Sequence, residues 1–268
     1  DFCLSRGLGD VYKRQIIELA MVKFWYSGNA EIAGVTAVFQ ALNEPSKPLA
    51  PEITRLTGIT DAMVAGCRID PAAVEAFVAD AGIVIAHHAG FDRKFAEQAW
   101  PIFEHKAWPC SATEIDWKAF GYSGAKLTYL AVETGFFYTA HRAVDDCHAL
   151  LEILAHRLPA ASSTALAILL DHARRKTVRI WAEHSPFDLK DVLKRRGYRW
   201  SDGADGSPRS WFIDVDDSLR DAELEFLRRE IYQRDVEFFC CELSAFERFS
   251  ARRGRALSAL AASPAEVE

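Results

Sequence analysis

No stretch of this sequence stays apolar for long. The run at 16–22 is already broken by Glu18, and nothing approaches the roughly 18 to 20 residues that a membrane-spanning helix needs. Membrane insertion through such a helix is excluded. Cysteine is scarce as well: 6 in 268 residues, none in a C-x-x-C pair. That is too sparse for a disulfide scaffold, and a reduced, cytoplasmic setting is expected. There is no internal repeat and no low-complexity tract. Basic charge is not in excess either. The formal net charge is −6, with 14 Lys+Arg against 19 Asp+Glu in 1–164 and 18 against 19 in 165–268. This balance disfavours non-specific adhesion to nucleic acid, yet a site that holds divalent cations is itself built of carboxylates. What remains is a chain 50% hydrophobic and 26% charged, able to bury a core and long enough for one large domain or two ordinary ones.

Residues 1–15, DFCLSRGLGDVYKRQ, have no initiator Met, no apolar alternation and no signal-peptide layout. The tail GDVYKRQ resembles translated adaptor read-through, so a non-native leader is expected here. The alternative is a divergent first strand in which only Leu4, Leu8 and Val11 could face a core.

Residues 16–25 and 35–42, rich in Val, Ile and aromatics around Ser27-Gly28-Asn29, predict an antiparallel hairpin. A loop punctuated by Pro45, Pro48 and Pro51 follows, with a short helical turn at 51–56. Asp70-Pro71 opens a helix to about residue 80. The apolar run 83–86 reads as a strand buried on both faces and leads directly into His87-His88-Ala89-Gly90-Phe91-Asp92. A further strand is expected at 106–110, a helix capped by Ser111 through about 120, another over 127–133 stopped by Gly135, and one from Arg142 that ends before Pro159. The Ser-rich segment 160–164 is the expected linker. Beyond it, helix 165–175, strand 177–182, a helix after Pro186, a polar turn at 201–208, strand 210–215 and helix 219–232 predict a small α+β module.

Two places carry candidate chemistry. Asp92 lies just past the carboxyl end of a buried strand, where open α/β sheets place ligands. In His141-Arg142-Ala143-Val144-Asp145-Asp146, the histidine sits on the loop before a helix whose early turns carry Asp146, so both could face one point. Taken singly, Asp92 reads equally well as a helix cap and Asp146 as a solvated helix residue.

Taken together, IIELAMVKF, LTGIT, AHHAGFD and HRAVDD followed by CHALLEIL, in this order and at these separations, resemble the DEDDh 3'-5' exonucleases related to the epsilon subunit of DNA polymerase III. The resemblance covers 16 to about 157. It implies an α/β ribonuclease H-like fold, a mixed sheet flanked by helices, and two divalent cations, Mg²⁺ or Mn²⁺, held by four carboxylates. By resemblance Asp92 and Asp146 match the third and fourth of these metal ligands. His141 matches the general base, an imidazole being suited to taking a proton near neutral pH. Asp145 points about 100° away from Asp146 and competes with it for the metal; the family spacing favours Asp146. Thr57 and Gly58 match the segment that approaches the terminal nucleotide, His87 matches a histidine that precedes the third carboxylate in relatives, and all three are expected to bind substrate; His88 stands where relatives often have Asn. The family's Asp-x-Glu, which supplies the first two carboxylates, is not found upstream: neither Asp1 nor Asp10 has Glu two residues later.

The expected organisation is therefore a leader at 1–15, an exonuclease domain at 16–159 whose first strand is missing or replaced, and an accessory module at 165–268. The expected activity is metal-dependent release of nucleoside monophosphates from single-stranded 3' ends, DNA favoured, with this chain inactive as it stands. An exoribonuclease and a non-catalytic nucleic-acid or polymerase-binding module are the alternatives. A polymerase partner is left open. In the C-terminal part, the basic residues Lys194, Arg195, Arg196 and Arg199 with Tyr198, Trp200 and Trp211 read either as a nucleic-acid contact or as a cross-strand tryptophan pair beside a solvated face.

Overall fold

In the structure, a computed structural model, residues 16–159, 161–204 and 206–252 are described, together with the backbone of 2–6. The rest of the expected leader, residue 1 and 7–15, lies outside the described residues. Four strands form the first sheet: β1 (Phe2–Arg6), β2 (Glu18–Tyr26), β3 (Ile32–Leu42) and β4 (Val84–Ala86), in the order β3-β2-β1-β4. β2 runs antiparallel to β3, Glu18 opposite Leu42, and antiparallel to β1, Arg6 opposite Leu19. β1 and β4 are parallel, Cys3 opposite Ile85. Beyond β4, the expected strand at 106–110 reduces to two parallel bridges, Ile83 with Ala107 and Ala86 with Cys110. An antiparallel meander with a parallel strand added beside its first member is the strand order of the ribonuclease H-like fold.

The centre of the sheet is thus not vacant. The first strand was expected to be missing or replaced; Phe2–Arg6 occupies that place between β2 and β4, and none of its five residues is acidic. Leu19, Ala20, Met21, Val22 and Phe24 of β2 are all buried, as a strand covered on both faces must be. β3, with most residues exposed, is the edge.

Around this sheet lie α1 (Pro51–Thr57), α2 (Asp61–Val64), α3 (Pro71–Val78), α4 (Ala89–Ala99), α5 (Leu127–Thr134), α6 (Ala143–Ala155) and α7 (Ala165–Arg174). Asp70 accepts from the Ala72 N–H at the start of α3, and Gly135, at φ 98°, ends α5. The helix expected from Ser111 does not form; 111–121 is a series of turns. Its polar side chains are engaged elsewhere. The Cys110 N–H donates to Glu114 at 2.8 Å, the Ala119 N–H donates to Asp116 at 3.2 Å, and Ser111 bonds to His87. Such side-chain bonds compete with the helical ladder.

The chain divides into two compact units between Ala173 and Arg174, not at the Ser-rich 160–164. The reason is packing: Ala165, Leu166, Leu169 and Leu170 of α7 join the core of the first unit with Leu150, Ile153 and Leu154.

The second unit holds β5 (Thr177–Ala182), α8 (Lys190–Arg196), β6 (Arg199–Trp200), β7 (Trp211–Asp216), α9 (Arg220–Phe226) and β8 (Cys240–Leu243). Its sheet, β6-β7-β5-β8, is antiparallel throughout. α9 continues as a π-helical stretch, Leu227–Tyr232. Val178, Ile180, Leu193, Tyr198, Leu227 and Ile231 form its core. Buried Glu223 accepts from Arg196 Nε at 2.9 Å and from the Tyr198 hydroxyl at 2.8 Å. No helix among the described residues is long and apolar enough to cross a membrane.

Candidate functional site

β4 delivers the chain to the first candidate. Val84, Ile85 and Ala86 are fully buried, and the strand gives way to α4 with His88 as its N-cap residue. Asp92 is therefore the fourth residue of α4, not its cap, and it is buried. The helix is pinned by its neighbour. Arg93, fully buried, donates from Nε to Glu97 at 2.7 Å and lies 5.7 Å from the Trp108 ring centre. α4 packs against both β1 and β4.

His87 ends β4 and is buried with both ring nitrogens engaged. Nε2 lies 2.6 Å from the Ala125 carbonyl, which can only accept, so Nε2 carries the proton. Nδ1, 2.8 Å away, then accepts from the Ser111 hydroxyl. Burial, with the nearby His88 ring adding to it, lowers the His87 pKa to about 4. The imidazole thus stays neutral and ties the end of β4 to two loops; neither nitrogen is turned to a substrate.

The second candidate stands at the start of α6, which packs against β1 and β2. His141 is exposed and held at φ 75°, the left-handed region that side chains with a Cβ disfavour. Arg142 is the N-cap residue but its own side chain supplies no cap. The acceptor comes from 125 residues away. Glu18, fully buried at the start of β2, takes the Ala143 N–H on Oε2 at 3.0 Å. Its Oε1 accepts from Arg142 Nη2 at 3.0 Å, Arg142 Nε at 3.3 Å and Gln40 Nε2 at 2.8 Å. One carboxylate therefore fixes the loop carrying His141 and neutralises the positive end of the helix that carries Asp146. Sequence reasoning missed Glu18 and Arg142. The signal was visible as the lone charge inside the apolar run 16–22.

Asp146 accepts hydrogen bonds from the Tyr138 hydroxyl and the backbone N–H of His141. Burial raises its pKa, while those two bonds and the His141 ring oppose the rise. The same environment pushes the Tyr138 hydroxyl up, through burial first and the adjacent carboxylate second. Asp145 faces a different space. With Phe136, Tyr138, Thr139, His148 and Glu152 it lines a hollow of about 290 Å³. The helix geometry thus separates the two competing carboxylates as expected. Tyr138, unsuspected in the sequence, is the group that orients Asp146.

Thr57 and Gly58 end α1. The Thr57 hydroxyl donates to the Ile53 carbonyl at 2.8 Å and accepts from the Ile59 N–H at 3.1 Å. Gly58 closes the turn at φ 71°. Ile59, fully buried, packs with Ile17 and Val64.

The structure brings Tyr138, the His141 backbone and Asp146 into direct contact, and places Asp92 and Asp146 on two helices that both pack against β1. A two-cation centre needs more oxygen ligands than these two carboxylates. Among the described residues no group of three His, Cys, Asp or Glu is close enough to hold a metal, and β1 contributes no acidic residue. The described donor set does not fit the implied pair of ions.

Residues 7–154 match the family model described as exonuclease, over half the chain. A protein of Mycobacterium tuberculosis named as a bifunctional exonuclease/endonuclease is 31% identical over 139 residues, 47% of this chain and 21% of that protein. The PolC-type DNA polymerase III of Halalkalibacterium halodurans is 41% identical over 94 residues, 34% of this chain and 6% of that protein. The chain thus corresponds to a small part of these relatives. Among solved structures, exonuclease X in complex with 5' overhanging duplex DNA aligns with TM-score 0.43 and 18% identity, covering 64% of this chain and 89% of that one. The nuclease domain of 3'hExo, a DEDDh family member bound to rAMP, aligns with TM-score 0.39 and 16% identity, covering 59% and 94%.

Proposed function

The chain belongs to the DEDDh exonuclease family, and from that premise we propose that it carries the fold of a 3'-5' exonuclease that hydrolyses the terminal phosphodiester of single-stranded nucleic acid, DNA favoured. The observation that carries this reading is the junction ahead of α6. There Asp146 is held by Tyr138 and the His141 N–H, while the His141 side chain stands exposed two residues before the Glu18-capped helix. In the proposed reaction His141 takes the proton of the attacking water, and Asp92 and Asp146 contribute two of the cation ligands. The family generally uses divalent metal ions, and in a chain that carries the remaining carboxylates such ions would supply charge stabilisation. Thr57 and Gly58 shape the turn proposed to approach the terminal nucleotide. His87 serves as a neutral brace between the end of β4, Ser111 and Ala125.

The same reading makes this chain inactive as written, because the described donor set is incomplete. The test is digestion of 3'-labelled single-stranded DNA with Mg²⁺ or Mn²⁺. The chain as given is compared with one whose residues 1–15 are replaced by a strand bearing Asp-x-Glu. Release of mononucleotide only by the repaired chain, abolished by His141→Ala, is the expected result; RNA competitor then sets the substrate preference. Metal-dependent release by the unrepaired chain would overturn the inactivity. A folded but inert repaired chain would favour a nucleic-acid-binding module instead.

A further inference from the structure

The second unit carries a surface that the proposed catalysis does not use. Along its outside, Phe187 is 75% exposed and Trp200 51% exposed. Between them lie two groups of contacts, one around Lys190 and one around Lys194. Lys190 Nζ lies 3.9 Å over the Phe187 ring, Lys194 Nζ lies 5.8 Å from the Trp211 ring centre, and Trp211 meets Trp200 edge to face at 5.5 Å. Lys190 and Lys194 are one helical turn apart on α8 and so share a face.

We propose that this stripe, Phe187, Lys190, Lys194, Trp211 and Trp200, binds single-stranded nucleic acid, with Trp200 stacking on a base and the two lysines on flanking phosphates. Single exposed aromatics are ordinary. A run of aromatic rings alternating with ammonium groups is a different object, because it repeats the two features of a nucleic-acid strand: a flat π-surface and an anionic linkage. The charge agrees: setting aside Arg196 and Arg199, which are paired with Glu223 and Asp214, residues 187–200 keep Lys190, Lys194 and Arg195 against Asp188 and Asp191.

Not every basic residue here is available. Arg196 is engaged with Glu223 at 2.8 Å and Arg199 with Asp214 at 2.7 Å. Arg179 joins Asp214 at 2.6 Å from the neighbouring strand. These pairs fasten α8 to α9 and β6 to β7, so Trp200 is presented by a braced strand rather than a loose loop. Among the described residues Lys194 pairs with Asp191 at 3.9 Å, and that pair is solvent-exposed and weak. A duplex keeps its bases stacked inside and offers no free face to Trp200, so the single strand is the fitting ligand.

The test needs no catalysis. The full chain in EDTA is titrated against a fluorescein-labelled 15-residue oligo-dT, followed by anisotropy and by tryptophan fluorescence. Trp200→Ala is expected to weaken binding about 5- to 150-fold, the range for loss of one base–aromatic stack, and to remove most of the quenching; Trp200→Phe restores much of the affinity. Lys190→Ala with Lys194→Ala flattens the dependence of log affinity on log salt by about 1.4. A 15-base-pair duplex and polyglutamate of matched charge bind at least tenfold more weakly than oligo-dT. The proposal is overturned if Trp200→Ala, with circular dichroism unchanged, binds within twofold of the parent. It is also overturned if polyglutamate binds as tightly as oligo-dT, which would mark a site for acidic polypeptide. Should Trp200→Ala fail to fold, the double lysine variant decides: an unchanged salt slope refutes the site. Because metal is absent throughout, failure here leaves the exonuclease reading untouched, and the reverse holds.

Discussion

Glu18→Ala should loosen α6 more than any surface change in the first unit, and its cost can be worked from the contacts. The carboxylate is fully buried and accepts four hydrogen bonds, from Arg142 Nη2 and Nε, Gln40 Nε2 and the Ala143 N–H. Removing one partner of a buried ion pair costs about 3–5 kcal/mol when the other charge is stranded. Arg142 is not stranded: its side chain is 30% exposed and can recover water, so this contribution shrinks. The Ala143 N–H is fully buried and cannot recover water, which costs about 1–3 kcal/mol. Loss of a negative charge at the helix N-terminus adds about 0.3–1 kcal/mol. About 2–4 kcal/mol is the expected sum, or roughly a 30- to 700-fold loss of protection at 1.4 kcal/mol per tenfold. The assay is amide hydrogen exchange on peptides from α6, with peptides from β5 in the second unit as the internal reference. Glu18→Gln, which keeps one acceptor oxygen but turns an NH₂ towards a donor, should fall between Ala and the parent. If α6 protection in Glu18→Ala stays within threefold of the parent, the carboxylate does not hold this junction and the reasoning fails.

Three further outcomes follow from the same contacts. His87 has a folded pKa near 4, below its ordinary 6.5, so the unfolded chain binds the extra proton; stability is fully present above pH 6.5 and lost as pH falls towards 4, about 3 kcal/mol in all. Urea unfolding across that window should show the slope, and His87→Gln should flatten it; an equal slope in the variant would count against the buried neutral ring. His141 sits at φ 75°, so His141→Gly should raise the melting temperature of the first unit by about 2 °C, whereas His141→Ala, which keeps the Cβ, should not; a Gly variant less stable than the Ala variant contradicts the strain. Glu223→Ala leaves the buried Tyr198 hydroxyl without its acceptor and should destabilise the second unit by about 2–3 kcal/mol, seen as an earlier loss of near-ultraviolet circular dichroism.

Local chemistry was legible wherever a few neighbouring residues decide the backbone. The β5 boundaries, the Asp70-Pro71 start of α3, the Gly135 stop of α5 and the α6 helix all follow from patterns a handful of residues long. The motifs that mark the family are of the same kind, since each is read within one element or at one junction between neighbouring elements. What needed the tertiary structure spans longer separations. Only folding brings Glu18 to Ala143 and Arg142, lets His87 take Ser111 and Ala125 and so dissolve the helix expected at 111–120, and docks α7 on the first unit rather than the second. Only folding, too, gives Phe2–Arg6 a place between β2 and β4, a pairing that no local alternation announced. Helix caps and turns cost and gain their free energy within one stretch of chain, so sequence alone can determine them. A buried carboxylate or an apolar helix face is settled only by the partner that folding supplies.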